Sequence, residues 1–199
     1  AIATEFGNME SSSLKLGFQM KMMSVFSGVS AENQAKIMGM MAATSDSSNT
    51  ALLAQMKTYK QAGVPFRAIM DDVASNTEFF AKFAKDGGAN IFDAAKRAKE
   101  LGVNLSDVAS ISESLLNFEE SIEAQMNAQV LLGRSINLDR ARQLALTGDQ
   151  EGMLQEILKQ VGGEAEFNRL NVLQRRALAE SVGQSVEGLS RLVRNNTAT

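Results

Sequence analysis

The stretch Asn104-Leu-Ser-Asp-Val-Ala-Ser-Ile-Ser-Glu-Ser-Leu-Leu-Asn-Phe-Glu-Glu-Ser-Ile-Glu-Ala-Gln-Met-Asn-Ala-Gln-Val-Leu-Leu132 decides the fold. It reads as one helix of about 29 residues, near the upper end for globular proteins. Asn104 is placed to act as N-cap, with Asp107 three positions later to complete a capping box. Val108, Ile111, Leu115, Phe118 and Ile122 then recur at spacings of 3, 4, 3 and 4. That is the a/d seam of a coiled coil rather than the broader stripe of an ordinary core helix. After Ile122 the rhythm slips to Met126 and Val130, a stutter of the kind that locally unwinds a supercoil. A strict heptad would instead place Gln125 and Gln129 in the seam as polar layers. Self-association is therefore expected through Val108, Ile111, Leu115, Phe118, Ile122 and Met126. The competing reading is a long helix buried in a monomeric bundle.

Composition points the same way. The chain has 199 residues, 44% of them apolar, with one Pro and abundant helix-forming residues, which predicts an all-α protein. It contains no Cys and no His. Thiolate metal sites, cysteine nucleophiles and the commonest general base are thereby excluded, and no cofactor or metal is expected. A formal net charge of −3 provides no general attraction to nucleic acid or anionic lipid. The apolar runs fall well short of a membrane span, and the N-terminus lacks a signal pattern.

Four segments are expected: a Met-rich helical segment over 1–48, helical hairpins with a Phe cluster over 49–103, the long central helix over 104–133, and a compact domain of short helices over 134–199. Seven of the 11 methionines lie in the first: Met9, Met20, Met22, Met23, Met38, Met40 and Met41. Such flexible side chains suit a surface that re-packs against a partner; a loose hairpin turning at Gly28-Val29-Ser30 is the plainer reading. A helix over 50–63 carries Tyr59, and the next begins after Pro65 with Asp71 and Asp72 facing out. Phe79, Phe80 and Phe83 read as a core plug. Ala98-Lys-Glu-Leu-Gly-Val-Asn and Ala179-Glu-Ser-Val-Gly-Gln-Ser read as two matching helix–turn–helix corners, with Gly63-Val64-Pro65-Phe66 a shorter third. In the last segment Asp149, Asn171 and Ser185 cap short helices. Leu154, Ile157, Leu158 and Val161 form an aliphatic face, buried within the unit or docked on a partner. The tail from Asn195 has nothing to pack.

From about residue 92 to 193 the sequence resembles tail tape-measure proteins of tailed bacteriophages. The resemblance is carried by Ala98-Lys-Glu-Leu-Gly-Val and by Ser112-Glu-Ser-Leu-Leu-Asn-Phe-Glu-Glu-Ser-Ile. It continues in Leu131-Leu-Gly-Arg-Ser-Ile-Asn-Leu-Asp-Arg-Ala-Arg, Ala145-Leu-Thr-Gly-Asp and Ile157-Leu-Lys-Gln-Val-Gly-Gly. The last match is Glu166-Phe-Asn-Arg-Leu-Asn-Val-Leu-Gln-Arg-Arg-Ala-Leu-Ala. The resemblance implies a non-enzymatic virion protein of the tail lumen or baseplate hub that helps nucleate the tail, sets its length and leaves before the DNA. It implies contacts with itself as a trimer, with tube and hub proteins, and transiently with the host membrane. A fully helical chain of this length spans roughly 300 Å at most, so a terminal section of a longer ruler is expected, on its C-terminal side.

Two other classes compete. A nucleic-acid-binding helix-turn-helix has the right turn at Leu101-Gly-Val-Asn-Leu, but residues 105–133 hold five acids and no base. Such a helix repels phosphate; the Gly183 corner, with Arg191 and Arg194, is the better candidate but a thin one, and another helical virion adaptor protein is the remaining alternative. An enzyme is weaker still. Glu119 and Glu123 share a helix face, but that spacing is common on solvated helices, and glycoside hydrolysis needs a placed carboxylate pair in a cleft.

Overall fold

The computed structural model describes residues 21, 24, 25, 27–42, 59 and 65–196. Among them run eleven α-helices, one 3₁₀ turn (Asp86–Gly88) and no strand. In chain order the helices are α1 (Ala31–Ala42), α2 (Phe66–Ser75), α3 (Thr77–Phe83), α4 (Ala89–Glu100), α5 (Leu105–Leu116) and α6 (Phe118–Leu132). They are followed by α7 (Asp139–Thr147), α8 (Gln150–Val161), α9 (Glu164–Arg169), α10 (Val172–Ser181) and α11 (Val186–Asn196). The protein is all-α, as composition predicts.

The expected helix over 50–63 lies outside the described residues, except for Tyr59, which is buried. So do Met9, Met20, Met22 and Met23. The other three methionines of that segment pack inward: Met41 is buried, and Met38 and Met40 lie against the core. The turn at Gly28 forms as read, and Ser30 Oγ accepts from Asn33 N at 3.1 Å to cap α1. Phe79 and Phe80 are buried beside Phe83, so the phenylalanine cluster is core.

Helix α5 is the hub. It packs against α4, α6, α7 and α8, while α4 in turn meets α2 and α8. Buried residues from Val29 to Val193 make one continuous cluster, which runs across positions 48, 103 and 133. The start of α5 is fastened from two sides. Asp107 Oδ2 accepts from Asn104 N at 2.9 Å, completing the expected capping box. Asp72 does not face out as the sequence suggests. Its side chain is largely buried, accepting from Leu105 N at 2.9 Å and pairing with Lys99 Nζ at 3.0 Å. A carboxylate on exposed amide hydrogens at a helix start is stabilised by the local dipole, so α2 caps α5 across the fold.

The two helix–turn–helix corners match bond for bond. Val103 N donates to Ala98 O (2.9 Å) and Gly102 N to Lys99 O (3.1 Å); Gln184 N donates to Ala179 O (2.9 Å) and Gly183 N to Glu180 O (3.1 Å). Both are Schellman closures, which need a left-handed residue at the glycine. The tail also departs from expectation. Asn195 Nδ2 donates to Leu101 O at 3.0 Å, and Arg97 donates to Asn196 Oδ1 at 3.0 Å, tying the end of α11 to the first corner.

Gly183 has φ +68 and sits where a Cβ would lie 2.3 Å from Ser114 Cβ; Gly133 has φ +66 with nothing within 4 Å. Gly183→Ala should therefore cost roughly 2–4 kcal/mol, combining left-handed strain with overpacking. Gly133→Ala should cost about 1–2 kcal/mol from strain alone. Chemical denaturation followed by circular dichroism measures both. Equal losses would contradict the close approach of Gly183 to Ser114.

Candidate functional site: the outward ridge of helix α6

The expected single helix from Asn104 to Leu132 is interrupted. Asn117 adopts φ −78, ψ 79, outside the helical region, and divides it into α5 and α6. The expected seam is divided with it. Val108, Ile111 and Leu115 are fully buried in the protein's own core. Phe118, Ile122, Met126 and Val130 are 47%, 46%, 59% and 80% exposed. Continuing the phase of α5 would bury Ile122; the residues buried on α6 are Ser121 and Ala128. Ser121 lies one position before Ile122, so the inward face is turned by about 100°.

What turns toward α7 is polar. Arg142 of α7 is buried and donates through Nε to Ser121 Oγ (3.0 Å) and through Nη2 to Ser121 O (3.1 Å) and Gln125 Oε1 (2.8 Å). Its Nη1 reaches Asp139 Oδ1 at 2.9 Å. Gln125 Nε2 donates to Ile136 O at 2.8 Å, while Gln129 Oε1 accepts from Ile136 N at 3.2 Å. Gln125 and Gln129 are thus not interchain layers. They supply partners for the turn that carries the chain from α6 to α7, where unmet backbone groups would be costly.

Residues four apart form parallel rows along a helix. On α6 the row Ser121, Gln125, Gln129 faces inward, and the next row outward is Phe118, Ile122, Met126, Val130. Beyond it run Glu119, Glu123, Asn127 and Leu131. An apolar row of this length lies in water beside a charged one, whereas a surface helix normally keeps its apolar stripe inside. Full burial of a Phe, Ile, Met or Val side chain is worth roughly 1.5–3 kcal/mol, and this row leaves about half or more of each side chain in water. At its C-terminal end the row opens into a shallow groove of about 450 Å³ lined by Met126, Gln129, Val130, Gly133, Arg134 and Ser135. Helix α10 packs alongside α6, with Gln174 Nε2 donating to Leu131 O at 3.0 Å. Its first residues, Val172 and Leu173, are also exposed.

The second expected docking face is not free. Leu154, Ile157, Leu158 and Val161 are all buried inside the unit, which is the internal alternative the sequence left open. The N-terminus of α5, where a recognition helix would meet base edges, is occupied by the Asp72 carboxylate. Glu113 pairs with Lys82 at 3.0 Å, and Lys82 also holds the exposed Glu78 carboxyl below its ordinary range. Burial raises the Tyr59 phenol and the Asp93 carboxyl above theirs, and no cluster that could hold a metal occurs among the described residues. Comparison with protein-family models, curated proteins and solved structures returns no significant match.

The two halves of the former seam make opposite predictions. Ile111→Asp places an unpaired charge in the core and should cost at least about 4 kcal/mol, leaving the protein largely unfolded. Ile122→Asp should change stability by less than about 1 kcal/mol. Thermal melts of the two variants decide the matter, and similar losses would mean that both positions share one environment.

Proposed function

We propose that this chain is a section of a bacteriophage tail tape-measure protein, acting as a structural docking unit in the tail tube or at the baseplate hub. The observation that carries the docking role is the outward apolar ridge of α6, four large side chains in one row about half or more exposed. A protein that spends a buried arginine and two glutamines holding the polar side of a helix inward, while its apolar side faces water, is shaped for assembly. The tail assignment itself rests on the sequence resemblance over residues 92–193. The available contact face is the second half of the seam (Phe118, Ile122, Met126) together with Val130.

The unit anchors rather than measures. Its longest described helix, α6, has 15 residues, a rise of about 22 Å, and the helices fold back onto one core. A ruler needs long, extended helical stretches; a compact unit can only fix one end of them.

The test is electron microscopy of particles whose parent chain carries Ile122→Asp with Met126→Asp, a pair at exposed positions that should leave the fold intact, as thermal melts of the section check. The expected result is tailless heads. Tails of normal number and length would overturn the docking role. Tails uniformly shortened would mean that this section measures.

A further inference from the structure

The ridge has a charged border that says what can lie on it. Glu119 and Glu123 form the row next to Phe118 and Ile122, one turn apart. Like charges at that spacing repel by roughly 0.2–0.5 kcal/mol. Neither has an ion-pair partner among the described residues, and residues 105–133 contain no Lys or Arg. The bases nearest in sequence to the far end of the ridge are engaged. Arg134 pairs with Glu166 at 3.3 Å and donates to Gln160 O and Val161 O at 2.9 Å each, Arg140 donates to Gln143 Oε1 at 2.7 Å, and Arg142 is held by Ser121 and Asp139.

A second copy of the chain cannot supply the missing charge from this face. Parallel pairing would set Glu119 and Glu123 of each copy at the same level. Antiparallel pairing would set them against Asn127 and Leu131, which carry no charge. We propose, resting on the docking role above, that the α6 ridge receives an apolar helix of another protein flanked by lysine or arginine. The row spacing also sets the geometry. Phe118, Ile122, Met126 and Val130 lie four apart throughout, so the partner's own four-spaced ridge packs into the adjacent groove at a crossing angle of about −50°. That is a globular helix crossing, not the left-handed supercoil that a 3-4 seam would impose.

The experiment uses the full chain and two designed 18-residue helical peptides. Both carry Leu or Ile at positions i, i+4, i+8 and i+12; one has Lys in the adjacent row and the other Glu. Fluorescence anisotropy at low salt should show the Lys peptide binding at least tenfold tighter, with the difference shrinking as salt is raised. The chain carrying both Glu119→Lys and Glu123→Lys should reverse the preference. Ile122→Asp should abolish binding of both peptides. Equal affinities, or no reversal, would overturn the basic-partner inference while leaving the docking face standing. Binding unaffected by Ile122→Asp would remove the docking face itself. A concentration-dependent mass in light scattering that Ile122→Asp abolishes would make a second copy the occupant, and sedimentation with phosphatidylglycerol vesicles would make it a membrane; either overturns the proposal.

Discussion

Arg142 sits at the point where α6 and α7 meet, and its guanidinium is satisfied by a serine hydroxyl, a backbone carbonyl, a glutamine and a carboxylate. Burying that charge without such partners would cost several kcal/mol. The side chain therefore requires a polar surface opposite it, and Ser121 and Gln125 provide one. Once that row is turned to Arg142, helical geometry leaves Phe118, Ile122, Met126 and Val130 nowhere to go but outward. The break at Asn117 follows from the same constraint. A continuous helix would have kept the aliphatic phase of α5 and directed Ile122, not Ser121, at α7.

The remainder of the fold supplies the rigid frame that makes such an outward ridge useful. Helix α5 is held at its start by Asp107 and by Asp72 from α2, and at its side by the tight approach of Gly183 to Ser114. The end of α11 closes on the α4–α5 corner through Asn195. These contacts join residues far apart in the chain and tie the helices to one buried cluster. Against that frame the α6 row is an uncovered apolar surface.

Much of this was legible in the sequence. Helix ends follow local rules, and Asn104, Ser30, Asp149, Asn171 and the paired glycine corners all do what those rules predict. The aliphatic core residues of α5 and α8 were visible from their periodicity. What periodicity could not show was that the Val108-to-Ile122 pattern belongs to two helices, because Phe118 and Ile122 continue the spacing faithfully while changing environment. The available signal was the competing polar row Ser121, Gln125, Gln129, set beside an Arg142 that interrupts the apolar face of Ala141, Leu144 and Ala145. Its meaning depends on a contact spanning 17 to 21 residues, which no local pattern encodes. Asp72 was misread for the same reason, its partners lying 27 residues away at Lys99 and 33 at Leu105.

The central claim is that the polar row of α6 faces the core and the apolar row faces water. The chain has no native cysteine, so single cysteines can be placed at positions 111, 115, 121, 122, 126 and 130 and their thiol reaction rates measured under native conditions. Cysteines replacing Ile122, Met126 and Val130 should react within about tenfold of a free thiol, and those replacing Ile111, Leu115 and Ser121 at least a hundredfold more slowly, since a buried thiol reacts only on opening. Slow reaction at Ile122 and Met126 with fast reaction at Ser121 would restore the continuous seam and contradict the inverted orientation of α6.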